Sequence, residues 1–370
     1  MNVSFLLPIW GHAGPFATAY LDITRSTEEG VRLTELTWRG MRDSLADQGA
    51  RVETLEAMAG AVTAGLDGGA PLGAQTQVIV AAAGEVLYDD RVSARPPTGR
   101  VSWGGLPDLF PLIALQPPRV PHIVALVDRA GADLAVYGPT QVETDEVTGR
   151  RYPITRAAAG GWSQRRYQQR AENLWAANAH LIAEHMDRLA QQHRTRLIVL
   201  AGDGRAKAAL LDALPGASRD QVVEVRGGRD PSVDDDTLRD STQRLVADEA
   251  TTQEQAVMDR FVEERGHDGR AVEGLADTTS ALRQGRVDHL LIAADGIENP
   301  IPIGPDPLDL ATAPEVLEQV GVVATVRADA ALVRAAAGNS ADVHAVDQAG
   351  GLEGKAIGQA QDGVGALLRF

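Results

Sequence analysis

An α/β fold divided among three domains is predicted by three features of the sequence. The chain has 370 residues, too many for one ordinary hydrophobic core. Apolar residues make up 44% and aromatics only 4%, so folded cores must be filled mainly by Leu, Val, Ile and Ala. Finally, short apolar runs with strand character alternate with stretches of helical period, most clearly toward the carboxyl end.

The elements follow in order. Residues 3–10 are apolar but interrupted by Pro8 and lack a basic leader, so no signal peptide is expected. No run approaches the ~20 apolar residues that cross a bilayer, so the expected location is the cytoplasm, without a membrane partner. Residues 16–23 read as a strand. A helix over 28–46 places Val31, Leu36, Trp38, Met41 and Leu45 near helical spacing, and a second over 51–66 stops at the breaker Asp67-Gly68-Gly69. Residues 78–90 read as two strands about a tight turn at Gly84. Pro96, Pro97, Pro107, Pro111, Pro117, Pro118 and Pro121 mark a loop-rich stretch and the first domain boundary.

The sequence HIVALVDRAGADLAVYG (122–138) has two apolar strands about the turn Asp128-Arg129-Ala130-Gly131. A further strand pair is expected around Thr148-Gly149, then a loop over 157–161 and a long helix from about Ser163 to His193. A buried strand at 195–204, a helix at 205–215 and a strand at 222–228 follow. Residues 234–264 are helical and acidic, a protein-docking face or a solvated one. Beyond a loop at 266–269, the pattern reads helix 271–284, strand 287–294, proline-rich loop 300–314, helix 314–319, strand 322–325, helix 329–337 and a strand near 342–346. That alternation predicts a small α/β layer domain. The expected domains are 1–118, 119–265 and 266–370.

The absence of cysteine excludes disulfides, zinc–thiolate sites, iron–sulfur clusters and a cysteine nucleophile. His180 and His185 lie five apart, whereas two ligands on one helical face need three or four, so no metal is expected, and no cofactor. Gly202-Asp203-Gly204 reads as a strand-to-helix turn rather than a nucleotide loop. Asp128 and Asp133 read as an exposed turn rather than a nuclease metal site.

The formal net charge of −16 argues against general affinity for nucleic acid, and no DNA partner is expected. Residues 150–170, RRYPITRAAAGGWSQRRYQQR, reverse that sign: Arg150, Arg151, Arg156, Arg165, Arg166 and Arg170 occur with no acid. Gly160 and Gly161 would let bare backbone approach phosphate, Gln164 offers an amide, and Trp162 and Tyr167 have rings that stack on bases. The same residues are also consistent with an ordinary helix start, N-capped by Ser163 and surfaced with solvated arginines.

This segment resembles the tip of the central domain in the bacterial branch of the archaeo-eukaryotic release-factor superfamily. ALRQGRVDHLLIAADG and DGVGALLRF, further along the chain, resemble the same branch. Its members include Pelota-like rescue factors, Vms-type peptidyl-tRNA hydrolases and Balon-like hibernation factors. The resemblance implies a ribonuclease H-like central domain whose tip reaches the peptidyl-transferase centre from the ribosomal A site. Here the tip would be Gly160, Gly161, Trp162 and Ser163, with Arg151, Arg156, Arg165, Arg166 and Arg170 on phosphates. Hydrolytic members place the glutamine of a Gly-Gly-Gln loop beside the ester. Gly161-Trp162-Ser163-Gln164 has the Gly-x-x-Gln spacing of the Vms type, which makes Gln164 the catalytic candidate if the chain hydrolyses. Contiguous Gly-Gly-Gln is absent, as is the Asn-Ile-Lys-Ser motif of stop-codon reading. The resemblance therefore implies a 70S-ribosome-binding hibernation factor of the A site, with tRNA and elongation factor Tu as further partners. The alternatives are a peptidyl-tRNA hydrolase or rescue factor using Gln164 and, outside translation, a small-molecule or nucleotide-binding α/β protein.

Overall fold

The computed structural model describes residues 1–24, 28–67, 74–95, 100–116, 120–138, 142–148, 161–227, 235–265, 270–346 and 361–370, with side chains outside 28–30, 66–67, 161–175, 235 and 361. In chain order the elements begin β1 (Phe16–Asp22), α1 (Glu28–Asp47), α2 (Val52–Asp67), β2 (Thr76–Ala82), β3 (Glu85–Val92), β4 (Val101–Gly104) and α3 (Phe110–Leu115). The middle of the chain gives β5 (His122–Val127), β6 (Gly131–Tyr137), β7 (Val142–Thr148), α4 (Gly161–His193), β8 (Leu197–Gly202), α5 (Gly204–Ala213), α6 (Gly216–Arg219), β9 (Val222–Glu224) and α7 (Asp235–Arg265). The remainder is β10 (Ala271–Glu273), α8 (Gly274–Arg283), β11 (Val287–Ala293), β12 (Pro300–Ile303), β13 (Ala324–Arg327), α9 (Ala328–Gly338), β14 (Asp342–Val346) and β15 (Val364–Leu368). The fold is mixed α/β with several sheets.

The chain forms two compact units, Met1–Pro117 with Glu254–Phe370, and Pro118–Gln253. The first holds the sheets β3-β2-β1-β4 and β10-β15-β11-β14 and the hairpin β12-β13. One face of β1 and β2 packs Ala17, Ala19, Leu21 and Ile79 against Trp38, Met41, Leu45 and Met58 of α1 and α2. From the other face, Phe16, Tyr20 and Val80 enter a core shared with Leu290, Ile292, Leu332, Val343 and Ala366. The amino-terminal apolar run folds as a 3-10 turn, Ser4–Gly11, and buries Val3, Leu6 and Ile9 in that same core. The two end segments of the chain are thus one packed body.

The second unit has the order β7-β6-β5-β8-β9. β6 is antiparallel to both β5 and β7, whereas β8 is parallel to both β5 and β9. Only the second strand of the unit is reversed, which is the ribonuclease H-like arrangement. Ile182, Met186 and Leu189 of α4 and Leu210 of α5 close the core over Ile123, Ala125, Leu134, Ile198 and Leu200. Among the described residues, no helix is long and apolar enough to cross a membrane.

Several local expectations are corrected. The proline-rich stretch after residue 95 contains β4 and α3, because Pro111 falls at the start of α3, where a missing N–H loses no hydrogen bond. The expected loop at 300–314 opens with β12, whose prolines are tolerated in a two-stranded hairpin. Residues 271–273 are strand rather than helix. Of the residues at helical spacing in α1, Trp38, Met41 and Leu45 are buried, while Leu36 is 64% exposed. The terminal VGALLRF becomes β15, between β10 and β11, where a Cβ on Gly365 would stand 2.5 Å from Phe261 Cζ.

Candidate functional site

The basic segment continues directly into α4, so the packing of that helix positions it. At ~1.5 Å rise per residue, its 33 residues span roughly 50 Å. Asn178, Ala179, Ile182, Ala183, Met186, Leu189 and Ala190 are buried, and their spacing of three or four lays one stripe on the sheet. Polar contacts fasten the same half. Asn178 Nδ2 donates to the Arg129 carbonyl at 3.1 Å, and Ser218 Oγ donates to Asp187 Oδ1 at 2.6 Å. His185 Nε2 meets Asp145 Oδ2 of β7 at 2.6 Å, while its Nδ1 faces the Arg188 guanidinium. His193 lies 3.6 Å from Glu143. The sequence held no local signal for these pairs, because β7 and α4 are distant along the chain.

The helix starts well beyond that anchored half. From Gly161 to Asn178 is 17 residues, about 25 Å of axis. Gly161, Trp162, Ser163, Gln164, Arg165, Arg166 and Arg170 all have helical backbone; their side chains lie outside those described. Gly160, Arg150, Arg151 and Arg156 lie outside the described residues. Because α4 begins at Gly161, Ser163 is its third residue and not the N-cap. Along this helical backbone, Trp162, Arg166 and Arg170 recur every four residues in sequence. No acid occupies the first turn, so the partial positive charge of the helix start is not offset there and adds to the arginines that follow.

The other polar candidates are turn residues. Asp128 Oδ1 accepts from the N–H groups of Ala130 (2.6 Å) and Gly131 (2.8 Å) and closes the β5–β6 turn. Asp203 caps α5, accepting from Arg205 N at 3.0 Å and Ala206 N at 3.1 Å. The Ala206 N–H, helped by Arg129, holds the Asp203 carboxyl below its ordinary range. Gly202 has φ +136°, and a Cβ there would lie 1.9 Å from the Val127 carbonyl oxygen; glycine is required for that approach of β8 to β5. Among the described residues, no group of three or more His, Asp or Glu could hold a metal. Among its described residues, the acidic helix α7 buries only Ala250, Met258 and Phe261, and leaves Asp236, Asp240, Asp248, Asp259 and Glu263 exposed.

Residues 121–267 match the family model of bacterial archaeo-eukaryotic release factor family 2. The uncharacterized protein Rv2629 of Mycobacterium tuberculosis strain ATCC 25618 / H37Rv is 29% identical over 363 residues, covering 96% of this chain and 94% of that protein. Protein MT2704 of strain CDC 1551 / Oshkosh, also uncharacterized, matches equally. Among solved structures, the archaeal translation termination factor aRF1 superposes with a TM-score of 0.27 at 15% identity, covering 100% of this chain and 97% of that one. Archaeal Pelota, in a model of its ribosome-bound complex with ABCE1, gives 0.38 at 14% identity, covering 100% and 94%. S. cerevisiae Dom34, a translation termination-like factor, gives 0.35 at 10%, covering 80% of each chain. The family match carries the weight, since it runs from the start of the central sheet through α4 to the end of α7. By that match, the central part of the chain, residues 121–267, is similar to bacterial archaeo-eukaryotic release factor family 2.

Proposed function

We propose that this protein binds the ribosome and occupies the A site with the start of α4 near the peptidyl-transferase centre, as a hibernation factor rather than a peptide-releasing enzyme. The observation that carries this reading is the family match over 121–267, which encloses the acid-free segment 150–170. In a chain of net charge −16, that segment concentrates cation where rRNA phosphates require it. Guanidinium suits the task, being always charged and able to hold two phosphate oxygens at once. Occupancy is favoured over hydrolysis because Trp162 and Ser163 separate Gly161 from Gln164. Ester cleavage needs an amide and a water held in one geometry at the carbonyl, and a residue on a helical turn is placed differently from one in a glycine loop. Hydrolysis through Gln164 is the second reading, favoured by the Gly-x-x-Gln spacing. The cytoplasm, tRNA and elongation factor Tu belong to the same proposal.

The test uses purified 70S ribosomes, either empty or carrying peptidyl-tRNA, with the wild-type protein and Gln164→Ala. Both proteins are expected to cosediment without releasing peptide. Release by the wild type that Gln164→Ala abolishes would replace occupancy by hydrolysis. Failure of the wild type to cosediment at low salt would remove both readings. Adding elongation factor Tu or deacylated tRNA to the same sedimentation reports whether either strengthens the complex.

A further inference from the structure

The central unit holds a second feature, distinct from the α4 start: a cavity of about 200 Å³ at the carboxyl ends of the parallel strands β5 and β8. Its apolar floor is Val127, Ile182 and Leu210, all at least 97% buried. Its walls are short side chains on two facing helices, Ala176 and Ala179 of α4 and Ala206 and Ala209 of α5. The polar mouth is formed by Asp128, Arg129, Asn178 and Arg205.

We propose that this slot binds a purine nucleoside monophosphate, free or as an unstacked nucleotide of an RNA strand. The base lies between α4 and α5, with its phosphate at Arg205. Size sets the first constraint. An apolar cavity of about 150 Å³ accepts benzene, so one of about 200 Å³ accepts a fused bicyclic ring. Lining sets the second, since short alanine side chains on α4 and α5 stand over an aliphatic floor and leave room for a ring. Charge sets the third. Asp128 and Asp203 each direct an oxygen at two backbone N–H groups, and Arg129 lies 3.4 Å from Asp203. Arg205 is exposed and has no carboxylate partner among the described residues, so the uncommitted charge at the mouth is positive. Because Asp203 already caps α5, the phosphate's partner is the Arg205 side chain rather than the helix start. Asn178, only 4% exposed, holds the Arg129 carbonyl and so fixes the turn beside the mouth. The crevice beyond the carboxyl ends of parallel strands is also where open α/β sheets collect ligands.

The test is calorimetric titration of the full chain with AMP, GMP, adenosine and inorganic phosphate, and fluorescence anisotropy with a labelled short oligoadenylate. The variants are Arg205→Gln, on the exposed mouth, and Ala209→Phe, which fills the slot from a half-buried position; their thermal unfolding is compared with the wild type. AMP or GMP is expected to bind, with Arg205→Gln weakening it about tenfold and Ala209→Phe abolishing it. Adenosine should bind more weakly, and phosphate alone not at all. Loss of oligoadenylate binding in Ala209→Phe would identify RNA as a source of the nucleotide, whereas mononucleotide binding alone would identify the free ligand. The proposal is overturned if neither nucleotide nor oligoadenylate binds up to about 5 mM nucleotide. It is equally overturned if binding is the same in the wild type and in both folded variants.

Discussion

The two long helices, α4 with 33 residues and α7 with 31, are close in length and differently charged where they begin. α4 buries its described apolar positions from Asn178 onward, and α7 its own from Ala250 onward, so each is fixed mainly through its carboxyl half. α7 opens with Asp235, Asp236 and Asp240, and Asp236 pairs with Arg239 at 3.0 Å. Carboxylates in a first turn complement the helix dipole, each by about 0.3–1 kcal/mol. α4 forgoes that stabilisation: its first turn has no acid, and its first charged residues are Arg165 and Arg166. One helix start follows the rule for stability, while the other breaks it in the segment proposed to meet RNA. Such local violations are what a functional surface is expected to show.

The largest test of this contrast concerns the anchors. Phe261→Ala should lower the stability of the first unit by about 3–5 kcal/mol and Met186→Ala that of the second by about 2–5 kcal/mol, read by urea unfolding with hydrogen exchange to assign the unit affected. Small losses in both would mean that the helices are held by something other than these buried stripes.

Acid should weaken the sheet under α7 next. His289 Nδ1 and His344 Nε2 lie 3.0 Å apart, on the strand positions that share a face with Leu291 and Val346, which pack against Met258 and Phe261. Burial holds His289 below the usual histidine value and His344 well below it; Asp288, Asp342, Arg260 and the Met1 amine are the charged neighbours. Above pH 6.5 the rings are neutral in both folded and unfolded chains. As pH falls through 6.5, the unfolded chain takes up protons that the folded one resists, so stability falls by up to about 1.4 kcal/mol per pH unit for each histidine. The urea midpoint should therefore drop between pH 7.5 and 5.5 in the wild type and drop less in His344→Gln. An equal drop in both would remove the pair as the cause.

Charge exchange at the two helix starts sharpens the comparison directly. Replacing Arg165, Arg166 and Arg170 by Ala should weaken ribosome cosedimentation and reduce the slope of log affinity against log salt by about 2. Replacing Asp235, Asp236 and Asp240 by Asn should leave that slope unchanged. If the two triple variants behave alike, the basic start has no special role. The smallest effect is intrinsic: Ser163→Asp should stabilise the second unit, and Asp236→Asn destabilise its helix, each by about 0.3–1 kcal/mol in thermal unfolding.

Much of the local structure was legible. The Asp128-Arg129-Ala130-Gly131 turn folds as expected, and the β2–β3 turn uses Ala83 and Gly84, both with positive φ, the geometry that suits the twist of a hairpin. The basic stretch was legible as composition, since a run of arginines without acids needs no tertiary contact to be seen. The long helix was legible too, expected from about Ser163 to His193 and observed over Gly161–His193; the two residues at its start differ because glycine and serine suggest a loop and a cap by propensity alone. The cavity between α4 and α5 was invisible, since its walls are ordinary alanines whose facing depends on how two helices pack.

By itself, the sequence determined what acts over a few residues: strand alternation, helical stripes, turn chemistry, the lack of any thiol, and the local reversal of charge. Tertiary structure decided the rest. It brought Val3, Leu6 and Ile9 into one core with Leu332 and Val343, set β15 between β10 and β11, and placed His289 beside His344 across 55 residues of chain. Backbone propensity and capping are local energies, whereas register, shared cores and cavities follow from which apolar faces find one another, and that is settled only when the whole chain has packed.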